Sequence, residues 1–227
     1  MALTVNTNMA AMRASNSLNQ TQGALSTTLS RVSSGLRITK AADDAAGQAV
    51  ATNLSTQARS GKQAIRNAND GVSVIQTAES ASKEVISILD RMRELAVQSS
   101  SETLEDGERA YIDAEFHQLS DEIERIAQVT EFNDIALTEG TNASLAVQVG
   151  VDASSNSRIS ITLGNLSTTN LSVETGDVDL TAATAAQTAI TTIDAAIDSV
   201  NSMRASYGSV QNRLESSINN MASYVEA

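Results

Sequence analysis

Apolar residues recur at helical spacing along most of this chain, and the places where the spacing fails mark off its elements. Leu18, Leu25, Leu29, Val32 and Leu36 step by seven, four and three, with the polar Gln22 at the heptad position after Leu18. Met9 and Met12 carry the stripe toward the start, and Ser33-Ser34-Gly35 interrupts it before a linker that runs to Lys40. The pattern resumes at about residue 43 and continues to about 99, with a seam of Ile65, Ala68, Val72, Ile75, Glu79, Ser82, Ile86 and Leu89. Val85, Ile88, Met92 and Leu95 form a second stripe beside it, which predicts contact with more than one neighbouring helix. After the polar, acidic turn Ser100 to Gly107, a return helix over about 108–129 carries Ile112, Phe116, Leu119, Ile123 and Ile126.

Over about 140–181 the period changes from helical to two. Leu145, Val147, Val149 and Val151 alternate with polar or small residues, as do Ile159, Ile161 and Leu163, with Ser154-Ser155-Asn156-Ser157 between them, and this predicts a hairpin. The shorter pairs Leu171 with Val173 and Val178 with Leu180 are expected to add further strands. The last segment, about 182–227, returns to a seam that steps three and four from Ile190 through Ile193, Ile197 and Val200 to Met221 and Val225, broken only by Arg204 and Gln211. The seam reaches Ala227 without a stop signal, so the sequence is expected to be cut in mid-helix. The fold class that follows is mainly α with a small β part: a long antiparallel helical bundle or coiled coil plus a β-hairpin region. Residues 1–42 form a separate N-terminal helix and linker that need a partner, and residues 43–227 form the main domain.

Composition narrows the function. Aromatic residues make up 2% of the chain and Trp and Pro are absent, which suits long, unkinked, closely packed helices better than a compact globular core. There is no cysteine, which excludes disulfide, thiol and zinc-thiolate chemistry, and the single histidine, His117, has no convergent partners in the pattern and reads as a surface or packing residue. No phosphate-binding glycine loop or His-Glu-x-x-His motif is present, and neither enzyme nor cofactor is expected. A net charge of −12 argues against nucleic acid, and no apolar run approaches a membrane span. The start, Met1 to Asn8, is not a cleaved signal peptide. Asp43-Asp44 reads as helix capping, Asp177-x-Asp179 as a solvated turn, and the Asn-x-Ser matches at Asn142, Asn165 and Asn170 as chance.

Four ordered blocks go beyond pattern. Leu29-Ser30-Arg31-Val32-Ser33-Ser34-Gly35-Leu36-Arg37-Ile38 with Asp43-Asp44-Ala45-Ala46-Gly47-Gln48-Ala49, then Asn67-Ala68-Asn69-Asp70-Gly71-Val72-Ser73, closely resemble the N-terminal blocks of bacterial flagellins. Arg91-Met92-Arg93-Glu94-Leu95-Ala96-Val97-Gln98 resembles a third block, and Tyr207-Gly208-Ser209-Val210-Gln211-Asn212-Arg213-Leu214 the start of the C-terminal one. The resemblance covers 1–140 and about 182–227. It implies a secreted subunit of the extracellular flagellum that polymerises with copies of itself, with 1–42 in an inner core and 43–227 in an outer tube.

The same resemblance implies further partners: an export chaperone and the type III export apparatus, and the filament cap and junction proteins. Leu18, Leu25, Leu29 and Val32 become the assembly stripe. Arg91, Leu95 and Glu115 resemble the contact for the vertebrate Toll-like flagellin receptor, and Ser30 to Ala51 the segment sensed by plants, with Gln48 as a departure. Two other readings compete. A hook–filament junction protein shares the ends but matches the blocks less closely. A chemoreceptor-like hairpin would lack the alternating stretch from Leu145 to Leu163.

Overall fold

The computed structural model describes residues 8–176 and 178–226, so the Asp177 half of the Asp177-x-Asp179 turn, the extreme N-terminus and Ala227 lie outside the described residues. The chain forms α1 (Met9–Ser34), α2 (Ala45–Ser99), α3 (Asp106–Val129), β1 (Glu131–Phe132), β2 (Ile135–Ala136), β3 (Ser144–Gln148), β4 (Arg158–Thr162), α4 (Thr168–Leu171) and α5 (Ala183–Glu226). By its contacts it divides into two units, Met1–Gln57 and Ala58–Ala227. The division falls within α2, because no residue of that helix before Gly61 is buried.

In the first unit, Asn8 caps α1 by accepting from the backbone N–H groups of Ala10 and Ala11, and Gly35 ends it at φ 69°. The linker then folds around two aspartates. Asp43 accepts from the Thr39 N–H and hydroxyl and from the Lys40 N–H, and pairs with Arg31 at 3.4 Å. Those bonds, the Thr39 N–H first, hold its carboxyl below the ordinary range. Asp44 accepts from the Gly47 N–H at 2.8 Å and starts α2, as expected of a helix-start carboxylate.

In the second unit, α3 returns along α2 and α5 runs antiparallel to α2. The α2–α5 register is read from its contacts: Arg93 with Asp194, Glu79 with Arg204, and Gly71 with Leu214. Small residues set the closest approach. A Cβ on Gly61 would lie 2.5 Å from Val225 Cγ2, and one on Gly71 3.2 Å from Val147 Cγ2. This corrects half of the expected α2 seam. Ala68, Ile75, Ser82 and Leu89 are buried, whereas Ile65, Val72, Glu79 and Ile86 sit at its rim, and Ala64, Gly71, Val74 and Ala78 are buried in addition. Three of the added residues are glycine or alanine, whose small side chains let neighbouring elements come close. The second stripe, Val85, Ile88, Met92 and Leu95, lies fully in the core with α3 and α5.

The predicted hairpin forms as β3 and β4, paired antiparallel with Leu145 opposite Ile161 and Val147 opposite Ile159, and a 3-10 turn at Ser155–Ser157 lies between them. A smaller ladder, β1 with β2, is too short to announce itself in the sequence. Leu171, Val173, Val178 and Leu180 form no strands. They are buried apolar anchors: the Leu171 and Val173 N–H groups donate to the Ser167 and Thr168 carbonyls, while Ser120 Oγ donates to the Val173 carbonyl, Asp113 Oδ1 accepts from the Leu180 N–H, and Ser99 Oγ donates to the Leu180 carbonyl.

Candidate functional site

No residue of α1 is buried. Leu18 is 68% exposed, Leu25 and Leu29 59%, and Val32 75%, and all four stand on one capped helix. At about 25 cal/mol per Å2, such side chains contribute nothing to stability until something covers them. These side chains are left uncovered by the described residues.

A second cluster lies across α2 and α3. Arg91 donates through Nε and Nη2 to Glu115 Oε1, at 2.8 Å for the shorter bond, and through Nη1 to Glu94 at 3.0 Å. Both members of the Arg91–Glu115 bridge are about half exposed, and these bonds hold the guanidinium above its ordinary pKa. Leu95, one turn along, is not with them on the surface. It is 1% exposed within the core of α2, α3 and α5, so it supports this face from beneath and cannot itself be a direct contact. Arg93 pairs across to Asp194 on α5 at 2.6 Å rather than with Asp90.

Three polar features were given no partner by the sequence. Arg109 is 6% exposed, and its guanidinium donates to the carbonyls of Ser99, Ser101 and Leu104, closing the C-terminal end of α2 in place of a glycine cap. The available signal was its position on the Ile112–Phe116 stripe. Tyr207, 1% exposed, accepts from the Gly164 N–H at 2.8 Å and ties the segment after β4 to α5, and burial pushes its hydroxyl pKa up. Arg204 and Glu79, the charged breaks in their respective seams, face each other at 3.6 Å. His117 pairs with Asp113 on its own helix at 3.1 Å, and among the described residues no group of His, Asp and Glu is arranged to hold a metal ion. No described helix is long and apolar enough to cross a membrane.

Comparison with known proteins agrees with this architecture. Residues 5–143 match the bacterial flagellin N-terminal helical region, and residues 190–227 the C-terminal helical region. A flagellin from Halalkalibacterium halodurans is 43% identical over 221 residues, covering 96% of this chain and 79% of the relative. Against Vibrio flagellins such as polar flagellin B/D the chain spans only 40% of the relative's length. The crystal structure of Bacillus cereus flagellin superposes with a TM-score of 0.60 at 31% identity, covering 69% of this chain and 88% of that one. A Vibrio parahaemolyticus structure assigned provisionally as a flagellar hook-associated protein gives a TM-score of 0.67, covering 82% of this chain and 97% of that one. At 15% identity that likeness shows the fold alone. The family matches and the 43% identity over nearly the whole chain go further: this chain belongs to the bacterial flagellin family, the structural helical proteins of the flagellar filament.

Proposed function

We propose that the chain is a subunit that polymerises with copies of itself into the flagellar filament and serves swimming motility, with 1–42 in the inner core and 43–227 in the outer tube. The observation that carries this reading is the bare apolar stripe of α1, in a chain so similar to a flagellin. Assembly then couples burial of Leu18, Leu25, Leu29 and Val32 to ordering of the helix that bears them, the entropic cost being offset by apolar contact. Delivery through the type III apparatus with an export chaperone, and addition beneath the filament cap beyond the junction proteins, complete the proposal. Its test is electron microscopy of seeded assembly. Leu25→Asp with Leu29→Asp should abolish elongation of flagellin seeds that the unaltered chain extends, and extension by the doubly substituted chain at the same rate would contradict it.

We also propose that the Arg91–Glu115 face is the contact for the vertebrate Toll-like flagellin receptor. Two charged, half-exposed side chains fixed by each other present a preorganised polar surface. Arg91→Ala should weaken receptor binding measured by biolayer interferometry on the order of tenfold or more. A surface-preserving core change, Leu95→Met, should leave it within about twofold. Equal losses from both would remove the contact from this face.

A further inference from the structure

The second unit is held by two apolar cores. One joins α2 from Val85 to Ala96 with α3 and with α5 from Ala186 to Val200. The other joins α2 from Ala68 to Ala78 with Leu137, the hairpin, and α5 from Tyr207 to Leu214. Between them both long helices run through a stretch with almost no buried apolar side chain. From Glu79 to Glu84 the only buried residue of α2 is Ser82, and from Asn201 to Ser206 α5 has none. Met203 is the one partly buried residue packed against both cores.

Apart from Met203, what fills this level is polar and loosely held. Glu79 and Arg204 approach to 3.6 Å, both about two-fifths to one-third exposed. Arg204 Nε is buried without a hydrogen-bond partner in the structure. Ser82 Oγ turns back to the Ala78 carbonyl at 2.8 Å, bonding within its own helix and contributing nothing across the interface. A half-exposed ion pair with a spare buried donor adds little cohesion, whereas a few buried aliphatic side chains at the same level would weld the cores. We infer that the Glu79–Ser82–Arg204 layer is a built-in break, dividing Ala58–Ala227 into two cores that open independently although the helices are continuous.

Two consequences follow. The hairpin-side core, with 12 buried apolar residues among those described against 21 in the three-helix core, opens without it. Local opening of this kind gives each core its own exchange free energy. The opening belongs to the monomer and does not depend on whether or how the chain polymerises.

Native-state hydrogen exchange of the full chain at subdenaturing guanidinium tests this. Amides of Ala68–Ala78 and Tyr207–Leu214 should exchange as one group, on the order of tenfold or more faster than those of Val85–Ala96 and Ala186–Val200, with a step at the layer rather than a gradient along the helices. In Glu79→Leu with Arg204→Leu the difference should shrink to within about threefold. A common exchange level in the unaltered chain overturns the inference, as does a step that survives the double substitution unchanged. Should the double variant not fold, Arg204→Met, which keeps the apolar stem, must narrow the step; an unaltered step there overturns the inference too.

Discussion

At the residue scale, several buried side chains of the bundle are polar ones satisfied by backbone. Arg109 is the clearest case, a buried cation whose acceptors are three carbonyls and no carboxylate. Arg109→Met keeps the apolar stem but leaves those carbonyls without their donor, and should cost about 1.5–3 kcal/mol in chemical denaturation. A cost within error of zero would mean that water replaces the guanidinium. Of the carboxylates that folding holds low, two bond across between elements of the bundle. Glu124 accepts first from the Thr168 N–H and also from its hydroxyl, and Asp194 from Arg93, and both are held below their ordinary values. A carboxylate depressed by folding contributes stability that is complete above its unfolded pKa. That contribution is lost as pH falls through the folded one. Glu124→Gln with Asp194→Asn should therefore flatten the fall of stability below about pH 5. An unchanged slope in guanidinium titrations across that range would contradict the assignment.

At the element scale, legibility followed the length of the repeating pattern. The four long helices were readable because each repeats its apolar period over many turns, and β3 with β4 because the alternation persists through Leu163. The seam of α2 was read only in part, because Ala64, Gly71 and Ala78 share it with the larger residues Ile75 and Leu89. The pairs around Leu171 and Leu180 looked like strands because burial was legible. What was not legible was that Ser99, Asp113 and Ser120, distant in sequence, would take their backbone bonds. In the same way, neither the pairing of Arg91 with Glu115 nor the burial of Leu95 between helices was legible. Helix α1 is the converse case, a strong pattern with nothing buried. Leu25→Asp with Leu29→Asp should accordingly leave the thermal midpoint of the monomer within about 1 °C, a surface-like effect. A drop of several degrees would mean that α1 already packs in the free chain.

At the scale of the whole molecule, the two units differ in what they bury. Ala58–Ala227 encloses the buried apolar side chains, whereas Met1–Gln57 leaves its apolar stripe exposed. All of the chain's acidic residues lie from Asp43 onward, so the helix proposed to be buried on assembly carries no acidic charge. The proposal that links these features is that the chain is a bulk filament subunit and not a minor junction component. Mass spectrometry of filaments sheared from the cells that carry this sequence tests it most directly. The account predicts peptides spanning α1 through α5 as a main component by mass. Finding them only in trace, at the hook end, or not at all would contradict it.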